Sequence, residues 1–205
     1  MTTDARGGRP PRPLLGAVLR HGLEVVFLDR DGTLNRDDGG YLADPEGLVL
    51  LPGAAEAVAA LNAAGVKAVV VTNQSGVGRG LIATEALARI HARLAALLAR
   101  NGARLDGIYS CVHRPDEGCD CRKPGTALAI RAARDLGVNV LRSAMIGDKA
   151  VDIELGRRLG GRSILVRSGE GEKTESELSA VERPDYIARD VYDAVQWLGF
   201  GGPKR

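Results

Sequence analysis

Aromatic residues are scarce: Phe, Trp and Tyr make up 3% of the 205 positions. Proteins that grip single-stranded nucleic acid stack bases on such rings, so that class of function has little to build on here. An excess of charge of either sign is also missing. The 28 basic and 26 acidic side chains leave a net +2, too little to draw the chain onto a phosphate backbone or an acidic membrane surface. Long apolar runs are absent, because charges or glycines interrupt every stretch before it reaches the about 20 residues of a spanning helix. The Leu14–Leu19 stretch is too short for the core of a signal peptide, and Arg20 follows it directly. No G-x-x-x-x-G-K-S/T segment occurs, which removes the phosphate loop of nucleotide kinases. These absences predict a cytoplasmic protein with no nucleic-acid and no membrane partner. Cysteines are few as well: three, all between Cys111 and Cys121. In a reducing compartment such clustering favours a metal over a disulfide.

Hydrophobic content of 44% and charged content of 26% are ordinary for a soluble globular chain. The length suffices for one domain with a real core. Residues 1–22 carry Pro, Gly and Arg with little periodicity and are expected to form a disordered arm, and residues 201–205 a short tail. Between them, residues 23–200 read as a single domain in which strands and helices alternate. Val25–Leu28, Lys67–Thr72, Leu105–Ser110, Ser143–Asp148 and Arg162–Val166 read as strands, with Asp185–Ile187 as an edge strand. Helical patterns fill Ala54–Ala64, Glu85–Asn101 with Thr84 as N-cap, Thr126–Leu136, Val151–Leu159 and Val191–Leu198. The acid-rich stretch Arg167–Ser179 reads as a mobile loop. Such alternation predicts an α/β fold, a parallel sheet with helices on both faces.

The chain is organised around Val25-Val26-Phe27-Leu28-Asp29-Arg30-Asp31-Gly32-Thr33. An apolar run ending in acids is a buried strand that delivers carboxylates to the end of the sheet where α/β proteins bind ligands. If the extended backbone continues to Asp31, both carboxylates project to one side. Two carboxylates so close stay ionised only beside a cation, and hard oxygen ligands suit Mg²⁺. The alternative is a strand followed by a solvated Asp-Gly turn. Met145-Ile146-Gly147-Asp148-Lys149 repeats the theme, with Asp152 one helical turn later as a supporting acid. Thr72-Asn73-Gln74-Ser75-Gly76 ends another strand in hydroxyl and amide donors, suited to phosphate oxygens or equally to an ordinary loop. Arg122-Lys123-Pro124 offers two cations that could offset a phosphate dianion, or a solvated basic pair. Cys111-Val112-His113 and Cys119-Asp120-Cys121 supply three thiols and one imidazole. That is a closed tetrahedral set, assigned here to structural Zn²⁺ held by Cys111, His113, Cys119 and Cys121.

Taken in order, Asp29-Arg30-Asp31-Gly32-Thr33, Thr72, Lys123 and Gly147-Asp148-Lys149-Ala150-Val151-Asp152 resemble the four motifs of the haloacid dehalogenase superfamily. The resemblance implies a Rossmann-like sheet and phosphomonoester hydrolysis through an aspartyl-phosphate. It makes Asp29 the nucleophile and Asp31 the general acid–base, with Thr72 and Lys123 holding phosphoryl oxygens. Mg²⁺ would take carboxylate oxygens of Asp29 and Asp148 and the backbone carbonyl of Asp31. The cysteine loop running into Arg122-Lys123-Pro124 narrows the likeness to the branch with heptose bisphosphate and histidinol-phosphate phosphatases. That branch implies substrate contacts from Asp37, Asp38, Gly39, Gly40, Tyr41, Thr72, Asn73, Gln74, Ser75, Arg122, Lys123 and Lys149. The short form of the loop points to the α-anomer of a heptose substrate. No segment is long enough for a large cap domain, so the expected partner is a small phosphorylated molecule reaching an open site on a monomer. A non-catalytic phosphate-binding module is the reading from a different class, and the presence of Asp31 argues against it.

Overall fold

The side chains of Val25, Val26, Phe27 and Leu28 are each 0% exposed. This first strand, β1 (Val25–Leu28), is central and buried on both faces, which its unbroken apolar run requires. The computed structural model describes residues 22–202. Most of the predicted arm (1–22) and of the tail (201–205) therefore lies outside the described residues. Strands β2 (Lys67–Asn73), β3 (Gly107–Cys111), β4 (Ser143–Gly147), β5 (Arg162–Val166) and β6 (Tyr186–Ala188) join β1 in a parallel sheet of order β3-β2-β1-β4-β5-β6. The order reverses direction between β1 and β4, where open α/β sheets form their ligand crevice. Leu28 pairs with Ile146, so Asp29 and Gly147-Asp148 leave the sheet side by side.

Alternation along the strands divides the core in two. Val26, Leu28, Val70 and Ile146 face one way, against α1 (Ala54–Ala63), α3 (Thr84–Ala99) and α7 (Val191–Trp197). Val25, Phe27, Val69, Val71 and Met145 face the other, against α4 (Ala127–Leu136) and α5 (Ala150–Arg158). The apolar spacing of α3 buries Leu87, Ile90, Leu94 and Leu98 as expected, while Leu97 is only partly covered. A one-turn helix, α2 (Ser75–Gly78), follows β2, and α6 (Gly171–Glu177) follows β5.

Four local expectations change. β1 stops at Leu28 and the backbone bends at Arg30, so the extended geometry does not carry Asp29 and Asp31 to one side. Thr84 is the first helical residue of α3; its N-cap is Ala83, which makes no side-chain cap. β3 begins at Gly107, preceded by Asp106, whose carboxylate accepts from Lys67 Nζ and the Ala68 N–H. The stretch read as a mobile loop contains α6, pinned by a hydrogen bond from the Thr174 hydroxyl to the Asp148 carbonyl (2.8 Å).

Candidate active site

Three carboxylates meet at the carboxyl ends of β1 and β4. Oxygens of Asp29, Asp148 and Asp152 lie within 4.8 Å of one another, and all three residues are buried. Lys123, 3% exposed, reaches this cluster from the loop before α4. Its Nζ is 2.8 Å from Asp29 Oδ1 and 2.7 Å from Asp152 Oδ1. Burial disfavours the ammonium, but Asp152 and Asp29 outweigh it and hold the Lys123 pKa above its usual value. Asp152 is also placed by accepting from the Lys149 N–H (3.1 Å) at the start of α5. Burial lifts its carboxyl to about 6 against the pull of Lys123.

Asp148 carries the surplus charge. Burial first, then the neighbouring carboxylates of Asp29 and Asp152, push it up to about 7. Its Oδ2 accepts the Glu170 N–H (2.9 Å), whereas its buried Oδ1 has no partner among the described residues. An orphaned buried oxygen in a set of three ionisable carboxyls calls for a cation, and oxygen donors of this kind fit Mg²⁺. Gly32 (φ +80°) and Gly169 (φ +59°) both pack directly on Asp148, where a Cβ on either would collide with Oδ2. The Ser168 hydroxyl ties the two loops by donating to the Gly32 carbonyl (2.7 Å).

The Asp31 side chain lies outside the carboxylate cluster. Arg30, 1% exposed, grips it with Nε to Oδ1 (3.0 Å) and Nη2 to Oδ2 (2.8 Å). Asn35 Nδ2 donates to Oδ1 (2.9 Å) and Gln74 Nε2 to Oδ2 (2.8 Å). Burial acts to raise the carboxyl, but Arg30 and these donors hold it below its usual range. Gln74 Nε2 also donates to Thr72 Oγ1 (2.9 Å), which links the predicted phosphate cradle to Asp31. His91, on α3, is near enough to Arg30 to feel its charge: burial first and the guanidinium second push the imidazole down to about 4. Nothing in its helical stripe of leucines marked His91 as part of this network.

The remaining predicted residues divide into three groups. Asn73 serves Lys123: its Nδ2 donates to the Lys123 carbonyl (3.2 Å) and its Oδ1 accepts the Lys123 N–H (3.0 Å). Asp37 Oδ2 and Lys149 Nζ are 3.2 Å apart, and the Tyr41 ring sits against Gly76 beside half-buried Ser75. Burial opposes the Lys149 charge, yet Asp148, Asp29 and Asp37 raise its pKa. Arg122 is half-buried, and its buried Nη1 has no partner among the described residues. Asp38, by contrast, pairs with Arg36 in solvent (3.3 Å), and Gly39 and Gly40 are exposed. Besides His91, the sequence reading missed Glu170, Thr174 and Ser168, because an acid-rich segment without apolar periodicity carries no signal of what it touches.

Cys111, His113, Cys119 and Cys121 also converge. Cys121 Sγ is 3.3 Å from Cys111 Sγ and 3.4 Å from Cys119 Sγ, and Cys111 Sγ is 3.6 Å from Cys119 Sγ. His113 Nδ1 lies 3.1 Å from Cys121 Sγ and 3.6 Å from Cys111 Sγ. Zn–S bonds of about 2.3 Å in a tetrahedral array set sulfurs about 3.8 Å apart, slightly wider than these. The Cys₃His donor set fits zinc.

A HAD-hydrolase-like family model matches residues 120–194. The chain is 42% identical over 186 residues to a D-glycero-D-manno-heptose-1,7-bisphosphate 7-phosphatase of Thermosynechococcus vestitus, covering 85% of this chain and 94% of that one. It belongs to the haloacid dehalogenase-like (HAD) phosphatases. A second HAD phosphatase, the D-glycero-beta-D-manno-heptose-1,7-bisphosphate 7-phosphatase of Pseudomonas putida, is 39% identical over 152 residues, 74% of this chain and 87% of its own. Among solved HAD structures, the D,D-heptose 1,7-bisphosphate phosphatase of B. bronchiseptica, complexed with magnesium and phosphate, superposes with a TM-score of 0.79 at 33% identity. It covers 86% of this chain and 98% of that one. The expected Rossmann-like parallel sheet with helices on both faces is thus the fold of a HAD phosphatase, and the enzyme class is a phosphatase.

Proposed function

We propose that this HAD phosphatase removes the 7-phosphate of D-glycero-D-manno-heptose 1,7-bisphosphate by way of an aspartyl-phosphate on Asp29. The observation that carries the chemistry is the meeting of Asp29 with Asp148 and Lys123 at the β1–β4 crevice. Relatives that act on heptose bisphosphate support the substrate. Magnesium, held by Asp29, Asp148 and the Asp31 carbonyl, would offset the negative charge that Asp29 and an approaching phosphate bring together. An Asp29 carboxylate oxygen attacks phosphorus, the bond to the sugar oxygen breaks, and Asp31 gives its proton to the departing alkoxide. Asp31 then takes a proton from the water that attacks the phosphoenzyme, and inorganic phosphate leaves. Arg30 and Gln74 hold Asp31 ionised, as the second half requires; the first half requires proton uptake and a looser grip by Arg30. Lys123 and Thr72 face the phosphoryl oxygens, and the half-buried Arg122 beside Lys123 takes the second phosphate.

Cys111, His113, Cys119 and Cys121 hold zinc that fixes the loop leading to Lys123. A single catalytic domain over 23–200, a monomeric state and a cytoplasmic location belong to the same proposal; thiols kept as metal ligands suit a reducing compartment. The short cysteine loop favours the α-anomer. The test is phosphate release with Mg²⁺ from both heptose 1,7-bisphosphate anomers and from histidinol phosphate. Faster turnover of a heptose ester is expected, and comparable rates on all three would overturn the assignment. Asp29→Asn is expected to abolish turnover while leaving the circular dichroism spectrum unchanged.

A further inference from the structure

Lys149 stands at the rim of the crevice between two carboxylates, Asp37 Oδ2 at 3.2 Å and Glu170 Oε1 at 3.2 Å. Asp37 comes from the loop after β1, Lys149 from the end of β4, and Glu170 from the segment before α6. The Glu170 backbone N–H donates to Asp148 Oδ2 (2.9 Å), which anchors the residue one step from the cation site. Its side chain stays half exposed (51%) and that of Lys149 one-third exposed (33%), so both reach whatever enters.

The rim holds one ammonium and two carboxylates at ion-pair distance. A phosphate dianion placed here would face two like charges for one cation. A hydroxyl-bearing carbon chain faces the opposite situation, because the carboxylates accept from hydroxyls and the ammonium donates to them. Next to Lys123 in the chain, the half-buried Arg122 offers a guanidinium, a group suited to an anion. We infer that Glu170 is a specificity-determining residue. With Asp37 and Lys149 it forms a polyol-binding rim that takes the hydroxylated part of a sugar phosphate and turns a second phosphate away, towards Arg122. The inference rests on the phosphatase reading of the site and adds the direction in which the substrate lies.

The test compares the wild-type protein with E170Q and E170K on heptose 1,7-bisphosphate, heptose 7-phosphate and p-nitrophenyl phosphate, all with Mg²⁺. Both variants are expected to raise KM for the two heptose esters at least fivefold more than KM for p-nitrophenyl phosphate, with the loss in KM and not in kcat. Equal losses on all three esters would mean that Glu170 acts only through Asp148 and would overturn the inference. So would unchanged KM values, or a lower KM of E170K for the bisphosphate. If the wild type cleaves p-nitrophenyl phosphate but neither heptose ester, the heptose assignment falls, and the rim is read by competition. Inhibition of p-nitrophenyl phosphate cleavage by a hexitol 6-phosphate, weakened at least fivefold in E170Q, then upholds the inference; equal inhibition of both proteins overturns it.

Discussion

Asn73 fixes the backbone of the residue whose ammonium lies between Asp29 and Asp152. Its place in Thr72-Asn73-Gln74-Ser75 matches a substrate-contact position, yet its carboxamide is committed to both backbone polar groups of Lys123. Asn73→Ala removes two hydrogen bonds of about 0.5–1.5 kcal/mol each. It is expected to lower unfolding free energy by about 1–3 kcal/mol in urea titrations and to reduce kcat. Asp31 makes a different case. Its separation from the other acids follows from the bend at Arg30, which the Asp-Arg-Asp spelling does not reveal. Asp31→Asn is expected to lower kcat about 10²–10⁴-fold, the usual worth of a positioned proton donor, as measured by phosphate release at saturating substrate.

Secondary-structure elements with a period were legible in advance. The four buried residues of β1, the leucine stripe of α3 and the glycine that ends α4 (Gly137, φ +66°) stand where the apolar spacing puts them. The cysteine loop was legible for another reason, since ligand type and count survive any detail of backbone path. Segment 167–179 was not: α6 is held by contacts to Asp148 and β5, and no short-range pattern encodes those. Each of these two elements yields a test. Cys119→Ser is expected to abolish stoichiometric zinc, measured by atomic absorption, and to lower kcat by freeing the loop that carries Lys123. Structural zinc is worth roughly 10–16 kcal/mol in small peptides, ample to order such a loop. Gly169→Ala forces a side chain into the left-handed region at a cost of about 1–2 kcal/mol and pushes it against Asp148. It is expected to weaken magnesium binding, measured by calorimetry, more than it lowers the melting temperature.

On the scale of the molecule, the strand order is what joins the site: β4 lies beside β1, so Asp148 meets Asp29, as the motifs taken in order implied. Three carboxyls packed at the crevice also make stability depend on pH. The Asp148 pKa rises from 3.8 to about 7, so without a cation the folded protein binds more protons than the unfolded chain between those values. Stability from this group is therefore present below about pH 4 and lost as pH rises through about 7. Magnesium favours the ionised form and opposes the loss. The expected outcome in thermal scans is a larger magnesium-induced gain in melting temperature at pH 8 than at pH 5.

Asp29 and Asp148 are separated by most of the chain, yet they emerge from neighbouring strands. A ribosome making this protein releases Asp29 early and Asp148 late. No truncated product ending before β4 can capture the ion or carry out hydrolysis. The pair of carboxylates that magnesium needs is thus complete only once β4 lies beside β1.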